Sequence, residues 1–423
     1  MRTRCLLIVA LALGLVVTGV NAETPKTVLK VITNTDNSTQ DGQDWRTFVD
    51  QFEAKNPDVD VQDTTAYGEA YHQKARSLLA ARDFPHIAFI WPDARGIYFK
   101  EAGQLVDNRP FMDKAVFDYS VIPPMGPNGE VWEVPSGASN FTSVLFCNTA
   151  ILKKYGLKEP ETYADLVAMV KPLKDAGIMV ISMDGSEGWV WNSCLMSGLI
   201  PRFTGDPAWI SKAVAGKYHF TDANFLKALS FIKTMVDDGV LPQSSMVTDY
   251  GTALTNFLNG KAAFMLDGQW RANGIEDPAL QKNVKMLPFP QVPGEGKAMA
   301  RSVSAAITSG YGITKAATQD PKVLDAAKRF IRAFYSEDLV AQRWKNGTIV
   351  APTILMKEPV DLPPIALEKT RFAKSIVTLT DVLDSFLKPS ANDALNLGMQ
   401  KIALGKATAA EVGADVEKLS RAK

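Results

Sequence analysis

The sequence predicts an α/β protein built as two lobes, each a mostly parallel sheet flanked by helices. Three observations carry that expectation. Short β-branched apolar runs alternate with amphipathic helical stretches, the signature of βαβ units. The alternation restarts near residue 144. Three stretches rich in turn residues, 135–139, 289–294 and 346–352, break it and read as crossings between lobes. The expected boundaries are 23–136 plus 290–348 for the first lobe and 137–289 plus 349–423 for the second. Such a pair can close about a hinge.

The first 22 residues read as an address. Arg2 and Arg4 precede an apolar run from Leu6 to Val17, and Val20-Asn21-Ala22 ends in a small residue suited to cleavage. The run is short for a membrane span. Cys5 precedes it and is badly placed for a lipid. The expected product is exported, periplasmic and cleaved after Ala22.

From there the elements follow in order. Residues 28–33, Val-Leu-Lys-Val-Ile-Thr, form a strand. Asp44 can cap a helix whose Trp45, Phe48, Val49 and Phe52 keep the 3.6 period, and Asn56-Pro57 stops it. Val59-Asp60-Val61 starts a second strand. Residues 71–82 are helical, and 85–90 form a buried third strand. In the second unit, 144–148 is a strand. Thr162 caps a helix to Ala176, kinked at Pro172 and stopped by Gly177. Residues 178–181 and 262–266 are strands, and 224–238 and 249–259 are helices. Residues 302–314 are again strand-like and 321–343 helical. The tail from Leu383 is mostly helical, with a break at Pro389.

Composition narrows the function. The chain has 423 residues, 46% of them hydrophobic and 22% charged, enough for a large core. Its formal net charge of +0 lacks the basic footprint of a nucleic-acid binder. His72, His86 and His219 lie far apart, and no metal-ligand spacing appears. No cofactor is expected. Cys147 and Cys194 are expected to be buried free thiols.

Candidate site residues cluster after predicted strands, where α/β proteins place ligands. Gly260 ends a helix, a strand follows, and the turn at Gly268 delivers Trp270. Trp91, Asp93 and Arg95 follow the third strand. Asp accepts and Arg donates, so together they can satisfy hydroxyls in both senses. The other reading is a salt bridge beside a core tryptophan. Trp189 and Trp191 lie two residues apart, one expected to pack and the other to face the cleft. Asn34 and Asp36 end the first strand, Asn140 and Phe141 follow a crossing, and Gly310 and Tyr311 are the weakest candidates. Indoles offer flat faces to the C–H surface of a pyranose. Carbohydrate is therefore the expected ligand. No nucleophile elbow, phosphate loop or zinc-protease motif is present. A glycosidase would need two opposed carboxylates, and Asp93 with Glu187 or Asp267 leaves that alternative open.

The chain resembles the extracellular solute-binding proteins of ATP-driven sugar importers, the family that includes maltose-binding protein. Gly260, Ala263, Gly268 and Trp270 match a family pattern, with Phe264 at its usual methionine. The stretch from Phe89 to Leu105 matches another, including Trp91 and Arg95. Phe146 to Leu152, Gly156-Leu157 and 160–166 match a third, with Cys147 where a Tyr is common. Asp93 has no counterpart in these patterns. The resemblance implies a type II-like periplasmic binding-protein fold and a non-catalytic, monomeric carrier. It would close on a mono- or oligosaccharide and deliver it to the permease subunits of an ABC transporter. Trp91, Arg95 and Trp270 are the contacts it favours, then Trp189 and Trp191. A polyol, a glycerol phosphoester or a polyamine are the alternative ligands.

Overall fold

The structure is a computed structural model that describes residues 25–422 apart from 38, 119–121, 123, 137–139, 297–298, 307–308 and 346–360. Residues 1–22, expected to form a leader, and the expected 346–352 crossing lie outside the described residues.

The first sheet has the order β2-β1-β3-β11-β4. Its strands are β1 (Thr27–Asn34), β2 (Val59–Ala66), β3 (Ile87–Ile90), β4 (Val134–Pro135) and β11 (Gly310–Ile313). Side-chain alternation fills both faces. Leu29 and Val31 of β1 pack with Trp45, Phe48 and Phe52 of helix Gln40–Lys55, and with Phe330 of helix Pro321–Phe334. Ile32 points the other way, toward Tyr71 and Ala75 of helix Glu69–Ala80.

The second sheet has the order β7-β8-β6-β9, from β6 (Val144–Asn148), β7 (Met179–Ser182), β8 (Ala262–Asp267) and β9 (Val284–Leu287). Leu145 and Cys147 face the larger core of this lobe, while Val144 and Phe146 face a smaller one. Thr162 closes a capping box with Asp165 at the head of helix Tyr163–Asp175, which runs through Pro172. Cys147 and Cys194 are buried and free.

Each sheet is mostly parallel, as expected, with one strand running against the rest. β1 runs parallel to β2 and β3, β11 opposes β3, and β4, antiparallel to β11, runs with β1–β3 again. In the second sheet β7, β8 and β9 run one way, and β6 opposes both β8 and β9. A strand that arrives from the other lobe enters its sheet from the opposite end, so it cannot join in parallel.

Two connections cross between the sheets side by side. β4 leads to β5 (Asn140–Phe141), and β10 (Ser302–Ala306) leads to β11. Pro135 pairs with Gly310 at one end and Asn140 with Ala306 at the other. Between them the Ser136 N–H donates to the Ser309 carbonyl at 3.0 Å. β10 also pairs with β12 (Thr378–Thr380). The 135–139 crossing thus falls between β4 and β5. The 289–294 crossing does not occur. Phe289 and Val292 lie in the large core of the second lobe. Arg202 grips Glu295 through Nη1 at 2.7 and 2.8 Å, with both side chains buried. The return crossing is β10 to β11, so Val292 and Glu295 ahead of β10 pack with the second lobe.

Candidate functional site

The second lobe carries an aromatic wall at the carboxyl ends of the parallel strands β7 and β8. After Asp267 the chain turns at Gly268 into a short helical turn, Gln269–Gly274. A Cβ on Gly268 would stand 2.0 Å from the Trp270 ring, so only glycine lets the indole fold back over its own backbone. The Trp270 N–H donates to the Tyr250 hydroxyl at 2.6 Å. Tyr250 opens helix Tyr250–Leu258, which Asp249 caps through the Thr252 N–H at 2.7 Å. Trp189 leans on both rings, 6.0 Å from Trp270 and 5.0 Å from Tyr250. Its N–H donates to Glu187 at 3.0 Å. Trp189 and Trp270 are half-buried.

Charges brace this wall from behind. The Arg271 guanidinium lies 3.5 Å over the Tyr250 ring and 3.0 Å from Asp267. Burial pushes Asp267 up to about 7, against the pull of Arg271. Burial, helped by the Glu187 charge, raises Asp184 at the end of β7 to about 6.

The first lobe answers with Tyr67, between β2 and helix Glu69–Ala80. Its ring stacks on Tyr250 at 5.8 Å and 29°, with the hydroxyls 3.5 Å apart. Asn34 accepts the Gly68 N–H at 3.0 Å and so fixes the loop that carries Tyr67. Rings from both lobes therefore meet in one place. The sequence reading missed Tyr67 and Tyr250. The rule that found the tryptophans, an aromatic just past a strand, also picks out Tyr67.

Several expected site residues lie away from this cluster. Trp91 is 9% exposed and packs against Tyr71, His72 and Phe89 at 5.2, 4.7 and 4.8 Å. The chain turns as soon as β3 ends, and the indole gains more by burial under the neighbouring helix than at a cleft. Trp191 is 0% exposed in the π-helical stretch Val190–Met196, so of that pair it is the packed member. Tyr311 is 4% exposed and stacks on Trp45 at 5.5 Å. A Cβ on Gly310 would stand 1.6 Å from the Val134 carbonyl, so this glycine serves strand pairing with β4. Phe141 is buried edge-on against Phe372 at 5.6 Å, and Asn140 pairs in the crossing sheet. Asp36 sits in the turn before helix Gln40–Lys55, where its carbonyl accepts the Thr39 N–H and hydroxyl. Asp93 and Arg95 lie at a second meeting point of the lobes, where Arg95 faces Asp384 at 3.9 Å.

A family model described as bacterial extracellular solute-binding protein matches residues 35–341. The chain belongs to this family. Among curated relatives it is 25% identical over 303 residues to the multiple sugar-binding protein of Streptococcus mutans, covering 67% of this chain and 66% of that one. It is 22% identical over 238 residues to lipoprotein LipO of Bacillus subtilis, covering 51% of this chain and 46% of that one. The matches thus span about half to two thirds of these relatives. A solved chitin oligosaccharide binding protein superposes with TM-score 0.81 at 19% identity, over 93% of this chain and 98% of that one. Maltose-bound T. maritima MalE3 superposes with TM-score 0.74 at 18% identity, over 93% and 99%. These likenesses establish the two-lobed α/β binding-protein fold. Among the described residues no helix is long and apolar enough to cross a membrane.

Proposed function

We propose that this chain is the exported carbohydrate-binding component of an ATP-driven importer, which captures a mono- or oligosaccharide between its lobes and hands it to the permease. The observation that carries the reading is the ring cluster of Trp189, Trp270 and Tyr250, faced by Tyr67 from the other lobe. Trp189 and Trp270 offer faces for sugar stacking, each worth about 0.5–1.5 kcal/mol beyond burial. Glu187, Asn34 and the tyrosine hydroxyls are the polar groups at hand, and they choose among hydroxyl patterns. Only the closed form touches a ligand from both sides, so binding favours closure. The names of the relatives and structural neighbours, which bind sugars, support the same class.

The glycosidase alternative loses support, because Asp93 is held by Arg95 and Asp267 by Arg271. Asp267 is also 1% exposed, behind the ring wall and out of reach of a bond held in the cleft. Tryptophan fluorescence titrated against a panel of mono- and oligosaccharides tests the proposal. A saturable change with at least one sugar is expected. No response to any sugar, together with tight binding of an amino acid or a polyamine, overturns it.

A further inference from the structure

The second meeting point of the lobes is made of charge. The turn Ala94–Gly96 follows β3, and Asp93 caps it by accepting the Arg95 backbone N–H at 3.0 Å. The same carboxylate takes the Arg95 side chain in a fork. Nε lies 3.0 and 3.1 Å from the two oxygens, and Nη2 donates to one of them. Across the gap stands Asp384, in the turn Leu383–Ser385. One of its oxygens accepts the Ser193 hydroxyl, and the other lies 3.9 Å from Arg95 Nε. The Leu383 N–H donates to the Ser197 hydroxyl at 3.0 Å, and Leu383 is buried in the second lobe's core, so Asp384 moves with that lobe. The side chains of Arg95, Asp93 and Asp384 are 14%, 7% and 11% exposed.

Each half is therefore preassembled within its own lobe. Asp93 orients the guanidinium, and Ser193 orients the carboxylate. Neither half needs the other to fold. The separation of 3.9 Å exceeds hydrogen-bond range, so the attraction is Coulombic and tolerant of angle. Burial pulls the Arg95 guanidinium down, but Asp93 and Asp384 together outweigh it and hold it above its ordinary value.

We propose that Arg95 and Asp384 form an electrostatic latch between the lobes, which sets the open–closed balance of the empty protein and so scales the affinity for every ligand by one factor. The inference rests on the proposal that ligand is held between the lobes. Arg95 is then a positioning residue and not a sugar contact. A contact residue changes which sugar is preferred. A latch changes the fraction of protein that is ready to bind, and every apparent dissociation constant is the intrinsic one divided by that same fraction.

The test reads closure without any ligand. Dyes on cysteines introduced by Lys55→Cys and Lys401→Cys, exposed positions on opposite lobes, report the inter-lobe distance by energy transfer. In the empty protein, Asp384→Asn should raise the open-to-closed ratio about tenfold, near the low end for an interface charge pair. Raising sodium chloride from about 0.05 to about 1 M should open the wild type and leave Asp384→Asn unmoved. Arg95→Lys, which keeps the charge, should retain most of the closed population, whereas Arg95→Gln should match Asp384→Asn. Every sugar of the fluorescence panel that binds should weaken by one common factor. Unchanged distances and salt response in both Asp384→Asn and Arg95→Gln overturn the latch. So does a loss confined to one sugar while others bind as before. The distance measurement stands even if no sugar in the panel binds, so the two proposals fail separately.

Discussion

Replacing Trp270 with alanine separates a ligand-stacking indole from one that merely packs. The ring is half-buried, rests on Trp189 at 6.0 Å and donates to Tyr250 at 2.6 Å. A pyranose laid on its open face would cover about 50 Å² of apolar surface, worth about 1.2 kcal/mol at ~25 cal/mol per Å². Stacking adds about 0.5–1.5 kcal/mol. Trp270→Ala should therefore cost roughly 2 kcal/mol of binding, near a thirtyfold rise in Kd, because 1.4 kcal/mol is about tenfold. The fold loses much less, since the ring is already partly exposed and its only hydrogen bond goes to a hydroxyl that water can serve. Isothermal titration with the sugar that responds in the fluorescence panel measures the first effect. Thermal melting measures the second, expected within about 3 °C of the parent. A variant that binds within about twofold of the parent would refute the stacking role. A variant that melts far lower would return Trp270 to the core.

Trp91→Ala should behave in the opposite way, losing about 3–5 kcal/mol of stability in urea while binding holds wherever the protein stays folded, because its ring is enclosed by Tyr71, His72 and Phe89. Gly268→Ala should mimic Trp270→Ala, because the new Cβ evicts the indole, and a double-mutant cycle should find little further loss when both changes are combined. His72 should make the protein acid-sensitive. Burial, reinforced by Arg95 and Arg76, pushes its ring down to about 3 from 6.5. The unfolded chain thus binds a proton that the folded ring refuses, so this contribution is complete above pH 6.5 and lost as pH falls toward 3. His72→Gln should flatten the pH dependence of the urea unfolding free energy between those limits by roughly 2 kcal/mol, allowing for the partial exposure of the ring.

The framework was readable because both kinds of periodicity are strong. Leu29, Val31 and Ile32 alternate as a two-faced strand must, and Thr162 with Asp165 announces a helix start. The crossings were harder. Pro288, Pro290 and Pro293 look like a link, yet Phe289 and Val292 between them are anchored in the core, and Gln291 bridges to Thr162. The true return, β10 to β11, is apolar on both sides and reads as one strand. At the site, Trp91 and Trp270 carry the same local signal, an indole just beyond a strand. What separates them is the direction of the following turn, which depends on the helix packed beside it. Tyr67 was missed although it obeys the same rule. The Arg95–Asp384 pair joins residues far apart in the chain, and nothing local marks Asp384.

The paired strands that join the lobes constrain evolution as well as motion. Ser136 and Ser309 tie the two backbones together at this joint. In the closure proposed above, both lobes turn about that one joint, like a door on two pins. The facing walls arrive in the same alignment whatever lies between them. A descendant can then acquire a new cargo by changing side chains on either wall, and leave the machinery of closing untouched.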